Sequence, residues 1–315
     1  MQLDRETEAL LYWASSATAT PLWTLSPGDA REEYARTLSK TEIAPPHIGE
    51  ANDLAVPGPA GPMRIRRYVP ADAGRSGEAA ILFVHGGGCV LGDVETHDIL
   101  CRTLCHDTRA TVLSLDYRLA PEHPFPAAVE DTVAALAWLS HEAEALGLDA
   151  SRIAVAGDSA GGNLAAVLAI LARDEGHPSI ALQLLIYPCT APEPETASHH
   201  KFAEGYVLSR NSIVWFFKHY LRNQRDSNDF RFAPLQADDL SNLPPAFVLV
   251  AGYDPLRDEG IEYAKRLIEA GNRVTLANYE GVTHGFYLMG GALDAARRAV
   301  AQSAVALRDV FAQQA

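Results

Sequence analysis

The sequence predicts an α/β fold, in which a mostly parallel central sheet has helices on both faces and a helical cap. Three observations support this prediction. From residue 63 onward, short apolar segments alternate with segments of helical periodicity, as in a parallel sheet that is buried on both sides. The run Gly157-Asp158-Ser159-Ala160-Gly161 joins one apolar segment to the helical segment that follows it. Two further segments, 1–50 and 188–233, do not fit the alternation.

The alternation places the elements in order. Strands are expected at 63–69, 79–85, 110–116, 152–156, 180–187, 246–251 and 274–279. Core helices are expected at 96–107, 126–145, 162–175, 258–270 and 293–311. Outside the alternation, helices are expected at 6–15, 29–39 and, with Ser209 as its N-cap, 213–221.

Long segments outside the repeating pattern of a compact domain are usually functional, and here they could cover the sheet as a cap. The predicted organisation has an N-terminal part of the cap, a first core part, a cap insertion and a second core part, at 1–50, 51–187, 188–233 and 234–315.

Composition and charge exclude several classes of protein. The 315 residues are 48% hydrophobic and 21% charged, as in an ordinary globular enzyme. The net charge of −14 would be repelled by nucleic acid and by anionic membranes. No apolar run reaches the roughly 18 residues of a membrane span, and the N-terminus does not resemble a secretory signal, so a cytoplasmic location is expected. Cys101 and Cys105 are spaced unlike zinc ligands and lack a second pair, so no metal is expected.

Ser159 is the predicted nucleophile. Glycines two residues before and after a serine fit a sharp turn from a strand into a helix, where larger side chains would collide with neighbouring backbone. Such a turn exposes the hydroxyl at the end of the sheet. A serine needs a base to take its proton, and the base is normally a histidine oriented by a carboxylate.

The base and the acid follow from their positions along the chain. Of 11 histidines, His284 alone follows the last predicted strand and precedes the closing helix. Asp254 follows the strand at 246–251, where the carboxyl ends of parallel strands converge. Asp254 with Pro255 also fits the start of a helix. Asp258 is the competing acid and is expected one helical turn further from His284. Four other histidines are expected at the surface or in the cap: His123, His199, His200 and His219.

The run His85-Gly86-Gly87-Gly88 follows a predicted strand and suggests an oxyanion hole. Consecutive glycines allow backbone N–H groups to approach a substrate carbonyl. Gly86, Gly87 and Ala160 are the predicted donors, and His85 is expected to hold the loop by hydrogen bonds. A phosphate-binding loop is disfavoured because the lysine and glycine patterns of nucleotide sites are missing.

These motifs resemble those of the bacterial hormone-sensitive-lipase-type esterases, which are capped α/β-hydrolases. The resemblance extends from about Ala79 to Phe286. The runs that match are His85–Gly88, Asp116–Pro126, Gly157–Asn163, Asp254–Gly260 and His284–Phe286. The resemblance implies a triad of Ser159, Asp254 and His284, oxyanion donors at Gly86, Gly87 and Ala160, and a cap built from the two segments outside the alternation. It also implies hydrolysis of short- to medium-chain acyl esters without a cofactor, and frequent homodimers.

One position departs from the family pattern. Cys89 stands where an aromatic residue is common, which predicts a roomier substrate site and some sensitivity to thiol reagents. Arg118 and Glu122 are expected to pair beneath the site. An amidase, a formamidase or a lactonase would use the same triad. A non-catalytic small-molecule receptor is disfavoured because such relatives have lost the triad histidine, which is present here as His284.

Overall fold

The computed structural model describes residues 2–16, 20–74 and 77–313. Within these ranges, no helix is both long enough and apolar enough to cross a bilayer. The strands are β1 Glu50–Val56, β2 Met63–Val69, β3 Glu78–Val84, β4 Thr111–Asp116, β5 Leu148–Asp158, β6 Gln183–Ile186, β7 Ala246–Tyr253 and β8 Val274–Thr283. The helices are α1 Arg5–Ser16, α2 Pro27–Leu38, α3 Asp98–Thr108, α4 Ala127–Glu142, α5 Ala160–Glu175, α6 Ala197–Lys201, α7 Arg210–Tyr220, α8 Arg257–Glu269 and α9 Asp294–Gln313.

The strands form one sheet in the order β1-β2-β4-β3-β5-β6-β7-β8. β2 pairs antiparallel with both β1 and β4, and the remaining pairs are parallel. Alternate residues of β3 enter the two hydrophobic clusters on opposite faces, with Leu82 and Val84 in one and Ile81 and Phe83 in the other. Burial on both faces explains why this strand is a continuous apolar run. The predicted α/β fold is confirmed.

Helices cover both faces of the sheet. α3 packs against α9 on one face, and α4 packs against α5 on the other. Every predicted strand and helix has a counterpart. The sequence prediction missed the edge strand β1 and the short helix α6, and it ended β8 four residues early.

The predicted ion pair between Arg118 and Glu122 is wrong. Arg118 Nη2 lies 2.7 Å from the buried carboxylate of Asp131 in α4. A buried carboxylate needs a charged or polar partner, and Arg118 supplies it. Glu122 instead pairs with Arg31 of α2 at 2.6 Å, and Arg31 Nε also donates to the Val90 carbonyl at 2.8 Å. These contacts attach the N-terminal segment to loops of the core.

We expect Gly161→Ala to lower the free energy of unfolding by about 2 kcal/mol or more, because a Cβ there would collide with the carbonyl oxygens of Val84 and His85. Gly28→Ala in α2 is a matched control, since the nearest heavy atom to its new Cβ is Ser26 Oγ at 3.9 Å. That control is expected to be neutral or stabilising by up to about 1 kcal/mol. Urea unfolding measures both. Equal stability of the two variants would contradict the steric argument.

Candidate active site

Ser159 lies at the turn between β5, which ends at Asp158, and α5, which begins at Ala160. Its backbone is strained, with φ of 55° and ψ of −116°. A Cβ at Gly157 would collide with the Gly161 carbonyl oxygen, so this turn requires the flanking glycines. The strain holds the serine hydroxyl at the carboxyl end of the sheet, where the chain turns sharply into the helix.

The loops after β7 and β8 bring Asp254 and His284 to Ser159. His284 Nε2 lies 3.0 Å from Ser159 Oγ, and His284 Nδ1 lies 2.7 Å from Asp254 Oδ2. Asp254 is fully buried, and its other oxygen accepts the Leu256 N–H at 2.9 Å. A carboxylate can only accept hydrogen bonds, so His284 Nδ1 carries the proton. Nε2 is then free to accept the proton of the serine hydroxyl.

Asp258, the competing acid, does not reach His284. Its carboxylate accepts from the Ser198 N–H at 2.8 Å and from Arg257 Nη2 at 2.7 Å. The alternative helix-start interpretation of Asp254 is only partly correct. α8 begins at Arg257, so Pro255 is not its first residue, but Asp254 does stabilise the turn that leads into the helix.

The geometry of the glycine loop argues against one of the three predicted oxyanion donors, Gly86. The Gly86 N–H donates to Asp158 Oδ1 at 2.8 Å and is therefore not available to a substrate. Gly87 and Gly88 line the cavity that contains Ser159, with φ values of 111° and 64° that favour glycine. Within the described residues, no hydrogen-bond acceptor engages the N–H groups of Gly87, Gly88 or Ala160.

His85 braces the loop from below, as the sequence suggested. Its ring is fully buried and stacks on Tyr117, with 4.2 Å between ring centroids. His85 Nδ1 lies 2.8 Å from the Gly86 carbonyl oxygen, and the Tyr117 hydroxyl donates to the His85 carbonyl at 2.9 Å. Burial lowers the pKa of His85 to about 4, so the ring is neutral at pH 7.

Ser159 lies where two cavities meet. The larger, of about 310 Å³, also contains His284 and has walls from both segments outside the core alternation, including Tyr34 and Val207. The smaller, of about 40 Å³, is enclosed mainly by apolar side chains of α7 and its surroundings. Phe216 lines both cavities. The site can therefore hold an ester with an apolar group on each side of the carbonyl.

Cys89 lines the smaller cavity, and its thiol is buried. Burial raises its pKa to about 12, although the nearby hydroxyl groups of Tyr220 and Tyr117 act in the opposite direction. The thiol therefore stays protonated at pH 7, and the thiolate is the reactive form. This finding argues against the thiol sensitivity that the sequence suggested. That Cys89 enlarges the substrate site stays a prediction.

A buried acid next to the site was not predicted from the sequence. Glu259 of α8 accepts from the N–H groups of Thr190 and Ala191, at 2.5 and 3.1 Å, and lies 3.3 Å from His199 Nε2. His199 is 1% exposed and is therefore not a surface residue, but it lies in α6, within the 188–233 segment that the sequence assigned to the cap. Burial raises the pKa of Glu259 to about 8 and lowers that of His199 to about 4. Both side chains are therefore neutral near pH 6.

This pair makes the free energy of unfolding depend on pH. Native Glu259 keeps a proton that the unfolded chain releases above pH 4.5. Its contribution to the free energy of unfolding therefore decreases as the pH rises from 4.5 to about 8, the pKa in the folded protein. The depressed pKa of His199 acts oppositely between about pH 4 and 6.5, and the two effects cancel there. A net fall remains between pH 6.5 and 8, on the order of 1 kcal/mol per pH unit.

We expect Glu259→Gln to reduce this fall, because an amide does not titrate. Urea unfolding at pH 6.5 and pH 8.0 measures it. Glu269→Gln, at the exposed end of the same helix, is the matched control and is expected to keep the wild-type fall. An unchanged pH dependence in Glu259→Gln would show that the buried acid does not titrate in this range.

The chain is similar to known hydrolases over most of its length. The family described as "alpha/beta hydrolase fold" matches residues 81–288. The chain is 47% identical to the carboxylic ester hydrolase LipN of Mycobacterium tuberculosis over 263 residues, which are 82% of this chain and 69% of LipN. It is 38% identical to the ethyl acetate hydrolase of Pseudomonas putida over 286 residues, 90% of each chain.

Solved structures give the same result over nearly the whole chain. The ester hydrolase EH1AB1 from the metagenome of Lake Arreo, in complex with a bipyridine phosphonate derivative, superposes with a TM-score of 0.95 at 43% identity, covering 99% of this chain and 100% of that one. A hyperthermophilic esterase from the archaeon Pyrobaculum calidifontis has a TM-score of 0.93 at 41% identity, covering 98% and 99%. The chain belongs to the α/β-hydrolase fold family, in its hormone-sensitive-lipase-type branch, and is a carboxylic ester hydrolase.

Proposed function

We propose that Ser159, His284 and Asp254 form the catalytic triad of a serine carboxylesterase. The observation that supports this most directly is the continuous chain of contacts, 3.0 Å from Ser159 Oγ to His284 Nε2 and 2.7 Å from His284 Nδ1 to Asp254 Oδ2. Ser159 Oγ attacks the ester carbonyl as its proton passes to Nε2. Asp254 fixes the imidazole tautomer and stabilises the imidazolium that forms.

The reaction then needs two more steps. His284 gives its proton to the departing alcohol oxygen, which leaves an acyl group on Ser159. A water molecule that loses a proton to the same nitrogen attacks this acyl-enzyme and releases the acid. Because the imidazole and the hydroxyl return to their starting protonation states, the cycle requires no further reactant.

Gly87, Gly88 and Ala160 are the proposed oxyanion donors, in place of the set that included Gly86. Both glycines face the cavity with Ser159, and Ala160 is the first residue of α5, where unpaired N–H groups and the helix dipole favour negative charge. A single donor of this kind contributes roughly 10²–10³-fold to the rate.

The segments 1–50 and 188–233 are proposed to form one cap over this site. Leu22 and Tyr34 from the first segment and Val207 and Leu208 from the second line the larger cavity. Its volume of about 310 Å³ suits short- to medium-chain acyl esters. A cytoplasmic location is proposed because the four cysteines are free thiols. Homodimer formation stays a prediction.

The function is tested with p-nitrophenyl acetate, butyrate and octanoate, and with a serine-directed organophosphate. Release of p-nitrophenol and mass-spectrometric labelling of Ser159 are expected together. The matching p-nitroanilides separate an esterase from an amidase, because faster cleavage of the anilide would favour the amidase. Binding of the esters with neither turnover nor labelling would favour the receptor and overturn the proposal.

A further inference from the structure

A buried pair of charged and polar side chains lies directly behind the glycine loop and has no place in the triad. Asp158 is 2% exposed and His97 is fully buried. His97 Nε2 lies 3.2 Å from Asp158 Oδ1, at an angle that makes this an electrostatic contact rather than a well-directed hydrogen bond. Asp158 immediately precedes Ser159, whereas His97 is the residue before α3.

Asp158 connects this pair to the loop. The same oxygen, Oδ1, accepts the Gly86 N–H at 2.8 Å. A Cβ on Gly86 would collide with the Asp158 carboxyl group, so the loop lies directly against it. The position of the carboxylate therefore sets the position of Gly86, and the next two residues along the chain are Gly87 and Gly88.

His97 is itself held in place. Its Nδ1 lies 3.0 Å from Thr96 Oγ1, and Thr96 in turn accepts the Asp93 N–H at 2.9 Å. The His97 ring lies 5.4 Å from the His85 ring and 6.0 Å from the Phe83 ring, centroid to centroid. A side chain with these neighbours has little freedom to turn, so it can fix the orientation of the carboxylate that it contacts.

The charge of Asp158 explains why a partner is needed. Burial opposes its ionisation, but His97 and the Gly86 N–H outweigh this effect and hold the pKa of Asp158 below its usual range. An ionised carboxylate without these partners would be costly in the interior. Asp158 also lines the substrate cavity, where an unpaired carboxylate would repel a developing oxyanion.

We propose that His97 is a positioning residue for the oxyanion donors, which acts through Asp158 and Gly86 to set the orientation of Gly87 and Gly88. This inference rests on the proposed function. It differs from a purely structural role in one measurable way. A mispositioned donor weakens binding of the tetrahedral state more than binding of the ground-state ester.

A pair of polar substitutions tests the contact. The His97→Asn amide reaches roughly the position of Nδ1 beside Thr96 and falls short of Asp158, whereas the His97→Gln amide reaches roughly the position of Nε2. The probe is a short alkyl trifluoromethyl ketone, which forms a tetrahedral adduct with the serine. In His97→Asn we expect its inhibition constant to rise, and kcat to fall, about tenfold or more, with KM changed less than about twofold. His97→Gln is expected to stay within about threefold of wild type.

Three results would overturn the inference. If His97→Asn is folded but less stable and its ketone affinity is unchanged, then His97 has a structural role only. Equal losses of ketone affinity in His97→Gln and His97→Asn would show that the contact with Asp158 is not the cause of the loss. If His97→Asn does not fold, Thr96→Val takes its place as the test, because it removes the hydroxyl that holds the His97 ring. This variant is expected to weaken ketone binding about threefold with KM unchanged. An unchanged ketone affinity in Thr96→Val would count against the inference. Failure of the proposed function is distinguishable, because the wild-type protein would then not be labelled at Ser159.

Discussion

Replacing Ser159 by Ala is expected to lower kcat by about 10⁶-fold, judging from serine hydrolases in which the nucleophile was removed. The reason is that, within the residues that the structure describes, no other hydroxyl lies at hydrogen-bond distance from His284 Nε2, so no other hydroxyl can accept the acyl group. Residual turnover should come only from the oxyanion donors and from substrate binding. The measurement is steady-state hydrolysis of p-nitrophenyl butyrate. Active-site titration gives the concentration of active wild-type protein, so that a trace of wild-type enzyme in the variant preparation can be recognised and excluded.

Ser303→Ala is the matched control for this substitution. Ser303 is a fully buried serine in α9 whose hydroxyl donates to the Ala299 carbonyl at 2.9 Å within the same helix. Its loss is expected to leave kcat within about twofold of wild type, since a lone helix-internal hydroxyl contributes only about 1 kcal/mol to stability. A Ser159→Ala variant with more than about 1% of wild-type turnover would sink the assignment of the nucleophile.

The convergence of Ser159, Asp254 and His284 could be predicted from the sequence because it depends on chain topology. In a parallel sheet, the loops after successive strands open at one edge, so residues far apart in sequence converge there. The segment that places Ser159 has a distinctive local pattern, and His284 was identified by its position after the last strand. The 3.0 Å and 2.7 Å contacts follow from the same topology.

The proposed donor set was only partly predictable, since three consecutive glycines look alike in sequence. Which N–H groups stay free depends on Asp158, whose carboxylate takes the Gly86 N–H, whereas Gly87 and Gly88 line the cavity. The partner of Arg118 was missed for a similar reason. Asp131 lies 13 residues further along the chain and comes close only when α4 packs against the core.

The edge strand β1 was missed because its composition is unlike that of a strand. Its sequence, Glu-Ala-Asn-Asp-Leu-Ala-Val, is rich in residues that are depleted in sheets. Tertiary contacts override this preference. Asp53 faces Arg66 across the antiparallel pair, with 2.7 Å between Asp53 Oδ1 and Arg66 Nε, and opposite charges on neighbouring strands stabilise the pairing.

Replacing Asp254 by Asn is expected to lower kcat by about 10⁴-fold while leaving the fold intact. Asp254 Oδ2 accepts from His284 Nδ1 at 2.7 Å, and its other oxygen accepts the Leu256 N–H, so both oxygens are used as acceptors. The asparagine oxygen can keep the contact with Leu256, which places the NH₂ group against Nδ1. Nδ1 must then accept, and the proton moves to Nε2. An imidazole in that tautomer cannot take the proton of Ser159.

Asp258→Asn provides the matched control, because it makes the same chemical change four residues away. Asp258 accepts from the Ser198 N–H and from Arg257, not from His284, so its loss should weaken the link between α6 and α8 and lower the unfolding temperature. We expect kcat to fall by less than about tenfold. A larger loss of kcat in Asp258→Asn than in Asp254→Asn, with both proteins folded by circular dichroism, would mean that the wrong carboxylate has been assigned. Comparable losses would mean that the α6–α8 contact, rather than the imidazole tautomer, limits turnover.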